Sequence, residues 1–154
     1  MEKIHACFKH SGLTLSVAES CTGGLISHLI TALPGASLFF DSSVVSYSNQ
    51  SKVRLLGISQ TLIRNYGVIS EEVARAMAAA IRKKRKTDYS LSTTGNLGPE
   101  TMEGKKVGLV YMAVDREAET VSRGMIFDGT REEIKQRAAL SALQLLSEVV
   151  EVWR

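Results

Sequence analysis

A serine in a turn of small residues is the first candidate for chemistry. Ser20 lies in the segment Ala18–Gly24, between an alternating apolar pattern and a helical pattern that begins at Leu25. A strand-to-helix turn exposes side chains at the carboxyl end of a sheet and aims backbone N–H groups at them, which suits an oxyanion or a phosphate. Ser20 is therefore a candidate nucleophile beside a binding turn formed by Thr22, Gly23 and Gly24. A helix cap formed by Ser20 or Thr22 is the competing interpretation.

A serine nucleophile needs a base, and Lys52 is the candidate. It follows a predicted strand by a few residues, and a desolvated lysine can act as the base of a Ser–Lys site. Tyr47 lies near it in sequence. A solvated loop lysine is the competing interpretation. The three histidines lie in helical patterns without a partnered acid, so a Ser-His-Asp triad has little support: His5, His10 and His28.

Two further segments carry groups that suit substrate binding. Thr94 and Gly95 begin a loop after another predicted strand, where hydroxyls and backbone amides can meet a ligand, although an ordinary turn explains the pattern too. Arg131 and Lys135 lie one turn apart at the start of the last predicted helix, where they could hold a phosphate or form a solvated face.

Three other classes of site have weaker support. Cys21 is an alternative nucleophile, but a lone cysteine is more often a small buried apolar residue. The basic run Arg82–Lys86 has no interleaved aromatic residues, so we do not expect nucleic-acid binding. No metal-ligand motif is present, so we expect neither a metal nor another cofactor.

The elements that position these residues alternate between strand and helix patterns. Predicted helices cover 3–10, 25–33, 61–66, 71–86 and a C-terminal stretch opened by a capping box at Thr130. Predicted strands cover 13–18, 39–46, 89–93, 107–114 and 120–127, the last two forming a hairpin. This order predicts an α/β fold with a mixed sheet.

Composition places the chain among ordinary globular proteins. It has 154 residues, 44% of them hydrophobic and 23% charged, with a net charge of +3. No apolar run approaches the roughly 18 residues of a membrane span, and the N-terminus lacks the apolar core of a signal peptide. Two cysteines do not make a disulfide framework. We expect one domain over residues 1–154, a cytoplasmic location, no membrane association and a homo-oligomer.

The motifs occur in the order found in a known family. The segments 18–24, 34–37, 45–49 with Lys52, 67–74, 94–99 and 127–131 resemble those of the CinA C-terminal domain family, over nearly the whole chain. Members of that family are nicotinamide mononucleotide deamidases (PncC-type), which convert the carboxamide to the acid and release ammonia. The resemblance implies a three-layer α/β/α sandwich with a mixed, mostly parallel five-stranded sheet.

The resemblance also implies roles for individual residues. Ser20 would be the nucleophile, and Lys52 and Tyr47 would activate it and move its proton. Thr94 would help to bind the substrate or steady the oxyanion, and Arg131 would contact the substrate. A small-molecule nucleotide is the implied partner. A non-catalytic nucleotide-binding or regulatory module is the alternative, and a DNA-linked competence or damage role is a third hypothesis.

The sequence departs from the family pattern in one loop. The usual Ile-Ala pair after Thr-Gly is Asn96-Leu97, and the usual glycine-rich stretch is replaced by Glu100, Met102 and Glu103. We expect a bulkier, acidic loop beside a phosphate-bearing substrate to weaken its binding. Lys135 replaces a second arginine, which loses bidentate phosphate geometry.

Overall fold

The computed structural model describes residues 1–151, which form six helices around one sheet. The helices are α1 (Glu2–Ser11), α2 (Leu25–Thr31), α3 (Asn49–Ser51), α4 (Gln60–Tyr66), α5 (Glu71–Arg85) and α6 (Arg131–Glu151). The strands are β1 (Leu15–Glu19), β2 (Phe40–Val45), β3 (Tyr89–Gly95), β4 (Leu109–Arg116) and β5 (Thr120–Ile126). A short 3₁₀ turn covers Ala36–Leu38, and a π-helical turn covers Lys52–Leu56.

The sheet has the strand order β2-β1-β3-β4-β5. Strand β1 is parallel to both of its neighbours, whereas β4 is antiparallel to β3 and β5. Four strands therefore run in one direction and β4 opposes them, which confirms the mixed sheet. Because β2, β1 and β3 are parallel, the segments that follow their carboxyl ends meet at one edge of the sheet.

Helices cover both faces of the sheet and make the three predicted layers. Helix α5 packs across one face, and α1, α2 and α6 pack together on the other. The apolar side chains of β1 divide between the two cores: Leu15 and Val17 join the core under α6, and Ala18 joins the core under α5. Both faces of β1 are buried. Its alternating side chains therefore point into two different cores, and neither face of the strand meets solvent.

Small polar side chains let α5 approach the centre of the sheet. The hydroxyls of Ser90 and Ser92 on β3 donate to the carbonyls of Ala78 and Ala74, at 2.7 and 2.6 Å. The Thr94 hydroxyl continues this row and donates to the Val68 carbonyl at 2.7 Å. Each of these three buried hydroxyls thus has a partner, and the end of β3 is fastened to the chain that leads into α5.

The predicted elements are confirmed with small shifts at their ends, except around Lys52. Helical turns replace the irregular segment expected between β2 and α4, so Lys52 begins a π-helical turn instead of lying in an open loop. The capping box is present: Thr130 N–H donates to Glu133 Oε2 at 2.7 Å and lowers the pKa of that carboxyl. No helix within residues 1–151 is both long enough and apolar enough to cross a membrane.

Candidate active site

The central feature of the site is a buried pair formed by Ser20 and Lys52. Lys52 Nζ lies 2.8 Å from Ser20 Oγ and donates to it. The same ammonium donates to the backbone carbonyls of Ser46 at 2.9 Å and Tyr47 at 3.3 Å. Ser20 follows β1 and the two carbonyls follow β2, so the parallel pairing of these strands brings both sides of the contact together. The structure thus brings Ser20 and Lys52 together, and their roles as nucleophile and base stay predictions.

Burial tunes Lys52 toward the free amine. The side chain is 2% exposed, and removal from water lowers the pKa of Lys52 from 10.5 to about 8 because it disfavours the charged form. Neighbouring charges act on this pKa in the opposite direction to burial. The neighbouring groups that act on it, Cys21 and Glu103, raise it.

The Cys21 thiol, next to Ser20 in the chain, is held in its protonated form. Cys21 lies beside Ser20 on the cavity wall and is buried. Burial raises the pKa of the Cys21 thiol to about 12, against the smaller lowering effects of Lys52 and of hydrogen bonds. A thiol without appreciable thiolate is a poor nucleophile, so the environment favours Ser20.

A buried carboxylate shapes the turn that carries Ser20, and the sequence analysis missed it. Glu19 is fully buried. Its two oxygens accept hydrogen bonds from five groups: Thr22 Oγ1, Gly24 N, Ile26 N, Ser27 N and Ser27 Oγ. The acid thus satisfies the first amides of α2, the task that the sequence analysis gave to Ser20 or Thr22 as a cap. An acid directly before a small-residue turn and a helix was the available signal.

This arrangement changes the interpretation of the binding turn. The Thr22 hydroxyl donates to Glu19 at 2.6 Å and also meets Thr93 Oγ1 at 2.8 Å, so it is fully buried inside the turn. The Gly23 amide donates to the Ser20 carbonyl, and the Gly24 amide donates to Glu19. These three residues build the turn, and the hydrogen bonds seen here already occupy the donors that we expected to hold substrate.

The Glu19 network leads to a stability prediction. Glu19→Gln should lower the free energy of unfolding by about 3 kcal/mol, because the new NH₂ group faces donors and leaves buried polar groups unpaired. Urea denaturation measures the loss. Glu117→Gln, at an exposed acid in the β4–β5 turn, is the control and should change stability by less than about 0.5 kcal/mol. Equal losses in the two variants would contradict this role for Glu19.

Tyr47 and Arg131 meet at the mouth of the site. Arg131 Nη2 donates to the Tyr47 hydroxyl at 2.6 Å, and Nη1 donates to the Gly98 carbonyl. Tyr47 is 56% exposed, and Lys52 contacts its backbone carbonyl rather than its phenol. The structure therefore places the Tyr47 phenol against Arg131. A role of this phenol in proton transfer stays a prediction.

A cavity of about 460 Å³ opens onto the Ser20–Lys52 pair. Thr94 and Gly95 lie on its wall, as predicted, although the Thr94 hydroxyl already donates to Val68. Gly95 has a packing role as well, because a Cβ there would lie 2.7 Å from the Leu109 carbonyl oxygen on β4. The loop 96–106 supplies much of the remaining wall: Asn96, Leu97, Gly98, Pro99, Glu100, Thr101 and Met102.

A smaller cavity of about 230 Å³ is also lined by Tyr47 and Arg131. Lys135 and Gly23 line it, together with Arg131 itself. Arg131 and Lys135 therefore face one space, as their one-turn spacing on α6 predicted. Two cationic side chains at this point attract an anionic group, and Glu132 on the same wall opposes them.

The remaining candidates of the sequence analysis lie away from this edge of the sheet. In the basic run, Arg82 pairs with Asp115 at 2.5 Å and Arg85 pairs with Asp41 at 2.8 Å. Lys84 donates to the Leu55 carbonyl, so three of the five charges have partners within the chain. Across residues 1–151, no group of three His, Cys, Asp or Glu side chains is placed to hold a metal ion.

Comparison with solved structures finds the same architecture in enterobacterial proteins. The competence damage-inducible protein A from Klebsiella pneumoniae superposes with a TM-score of 0.96 at 28% identity, covering 99% of this chain and 96% of that one. A competence-damaged protein (CinA) superfamily member from Escherichia coli gives a TM-score of 0.90 at 32% identity, covering 94% and 85%.

Curated relatives extend the same relationship in sequence. A CinA-like protein from Endomicrobium trichonymphae is 46% identical over 134 residues, which cover 86% of this chain and 31% of that protein. A putative competence-damage inducible protein from Caldicellulosiruptor saccharolyticus is 45% identical over 140 residues, covering 90% and 34%. The chain spans about a third of the length of these relatives. The family model of the CinA C-terminal domain matches residues 1–150, and the chain therefore belongs to that family.

Proposed function

We propose that this domain is an amidohydrolase that converts the carboxamide of nicotinamide mononucleotide into the carboxylic acid and ammonia. The observation that carries the proposal is the buried contact of 2.8 Å between Lys52 Nζ and Ser20 Oγ. A serine hydroxyl becomes a useful nucleophile when a base within hydrogen-bond reach can take its proton. A pKa of about 8 leaves part of the Lys52 population as the free amine near neutral pH.

The proposed reaction has two halves that use the same pair. Ser20 Oγ attacks the carboxamide carbon while Lys52 takes its proton, which forms a tetrahedral oxyanion. The C–N bond then breaks, Lys52 returns the proton to the leaving nitrogen, and ammonia departs from an acyl-serine ester. Water, deprotonated by Lys52, attacks the ester carbon. The proton passes back to Ser20 as the acid leaves, so the enzyme is restored.

The turn after β1 offers a donor for the oxyanion. The Ser20 amide donates to the Thr93 carbonyl and is therefore engaged. The Cys21 amide hydrogen-bonds its own thiol, whereas the Thr22 amide makes no backbone–backbone hydrogen bond among those described for residues 1–151. We therefore assign the Thr22 N–H, two residues after Ser20, to the developing oxyanion charge in place of Gly23 and Gly24.

Ammonia release tests the proposed activity. Nicotinamide mononucleotide, nicotinamide riboside and nicotinamide are incubated with the purified protein, and ammonia is measured by a coupled reductive amination of an oxo acid. The mononucleotide should give sustained turnover that Ser20→Ala loses. Absence of ammonia from all three amides at high protein concentration would overturn the proposal.

The paired charges of the basic run give a DNA-linked role no independent support.

The cationic end of the site leads to a prediction about Arg131. Arg131→Ala should raise KM for the mononucleotide about ten-fold or more, because a charge-assisted contact is worth about 1.5–3 kcal/mol. Turnover of the riboside should change much less. Arg137→Ala is the matched control, because this exposed arginine on α6 donates to the Asp128 carbonyl instead. Equal losses on both substrates would show that Arg131 does not bind the phosphate.

A further inference from the structure

The unusual loop of this chain is fastened at its tip by an acid. Glu103 Oε1 accepts a hydrogen bond from the Val68 amide at 3.1 Å, and Glu103 Oε2 accepts one from the Ile69 amide at 3.4 Å. Val68 and Ile69 are themselves buried. The carboxylate therefore satisfies two backbone donors that water reaches poorly, on the segment that leads into α5.

The backbone of the tip is shaped to make this contact. Lys105 N–H donates to the Met102 carbonyl at 2.8 Å, which closes a four-residue turn. Its two central residues, Glu103 and Gly104, have φ values of 54° and 67°, the pattern of a type I′ turn. A positive φ is uncommon for a residue other than glycine, so the turn adopts a costly conformation that directs Glu103 back toward the body of the domain.

The opposite side of the contact has room for the carboxylate because it lacks a side chain. Gly67 precedes Val68, and a Cβ built on Gly67 would collide with Glu103 Oε2 and lie 3.1 Å from Glu103 Cδ. The loop and the segment 67–69 are thus complementary in both shape and hydrogen bonding. The Val68 carbonyl also accepts the Thr94 hydroxyl, so one short segment joins Glu103 to the cavity wall.

We propose that Glu103 is a positioning residue of this site, whose carboxylate fastens the loop 96–106 in place as one wall of the cavity. The proposal rests on the function proposed above and adds to it a determinant specific to this chain. Seven consecutive residues of that loop line the cavity, and Glu103 fastens them from outside it. We expected this acidic loop to weaken substrate binding. In this arrangement, its acid Glu103 keeps the loop in position on the cavity wall.

The charge of Glu103 has a second effect, on Lys52. Charged or titratable side chains that share the cavity with Lys52 or act on its pKa come from the turn after β1, the end of β2, the loop and α6: Cys21, Tyr47, Glu100, Glu103 and Arg131. Glu103 raises the pKa of Lys52 because a negative charge favours the ammonium. Removing the charge should therefore move the Lys52 midpoint to lower pH and leave more free amine at neutral pH.

Amide hydrogen exchange tests the fastening without reference to catalysis. In Glu103→Ala, exchange at Val68 and Ile69 should accelerate about ten-fold or more, since hydrogen bonds to a charged acceptor are lost. In Glu103→Gln, which keeps one acceptor oxygen, the exchange rates of these two amides should lie between those of Glu103→Ala and those of the unmodified protein. Glu117→Gln removes an exposed charge in the β4–β5 turn and should leave both amides unchanged. Unchanged exchange in Glu103→Ala would overturn the proposal.

Titration of Lys52 separates positioning from general loss of stability. The Lys52 midpoint, followed by NMR of its ε-carbon, should fall in Glu103→Gln, because this variant removes the negative charge and keeps one acceptor oxygen for the loop contact. A midpoint equal to that of Glu117→Gln would contradict the electrostatic effect of Glu103.

Steady-state kinetics of the same variants on nicotinamide mononucleotide complete the experiment. KM should rise several-fold, and it should rise more in Glu103→Ala than in Glu103→Gln, the same order as their exchange rates. The kcat of both variants below pH 8 should not fall. A lower kcat with KM unchanged would contradict a role in shaping the wall. If the unmodified protein releases no ammonia, the proposed function fails, whereas the exchange and NMR results still decide whether Glu103 fastens the loop.

Discussion

Ser20→Ala should reduce kcat for ammonia release by about 10⁴-fold or more, because removal of a covalent nucleophile eliminates the acyl-enzyme route. Fold and stability should be retained, since the hydroxyl is a small group whose side-chain partner is Lys52. Steady-state and single-turnover measurements with nicotinamide mononucleotide would quantify the loss. Circular dichroism and thermal unfolding would establish that the variant is folded.

Cys21→Ala is the matched control for the nucleophile. It removes the neighbouring thiol from the same cavity wall, and a thiol with a pKa of about 12 supplies almost no thiolate at neutral pH. This variant should keep most of its activity. Should Cys21→Ala be inactive while Ser20→Ala still turns over, the nucleophile is the thiol and the assignment to Ser20 is wrong.

Lys52→Met should lower kcat by about 10²–10⁴-fold, the usual contribution of a positioned general base. Methionine keeps much of the length of the buried side chain without its charge or its donors. The double variant should be little worse than Ser20→Ala alone, because the two residues act on one proton. Lys83→Met, at an exposed position of α5, should behave like the unmodified protein.

The pH dependence follows from the same lysine. Burial lowers the pKa of Lys52 to about 8, and the base acts as the free amine. Activity should therefore rise with pH through about 8 and fall on the acid side, where Lys52 takes up a proton. A kcat/KM profile that stays flat between pH 6 and 9, with chemistry limiting the rate, would contradict Lys52 as the base. This pH range runs from about two units below the Lys52 midpoint to about one unit above it.

Local sequence patterns predicted the elements because each depends on residues a few positions apart. Apolar spacing along α5 and α6 and the capping box at Thr130 are such patterns, and the structure confirms them. The turn after β1 was recognisable as a site for the same reason. Its internal hydrogen bonds were not predictable, because small polar residues offer several equivalent donors and Glu19 competes with them for the amides of α2.

Local patterns were enough to predict an α/β chain with Ser20 in a strand-to-helix turn and Lys52 shortly after the next strand. Which of these groups are in contact depends on how the strands pair. Ser20 and Lys52 are 32 positions apart, and Tyr47 and Arg131 are 84 apart. Such contacts depend on strand order and register, which bring the carboxyl ends of parallel strands to one edge. The lowered pKa of Lys52 was likewise decided by the tertiary structure, because desolvation is a property of the packed cavity and not of the residue type.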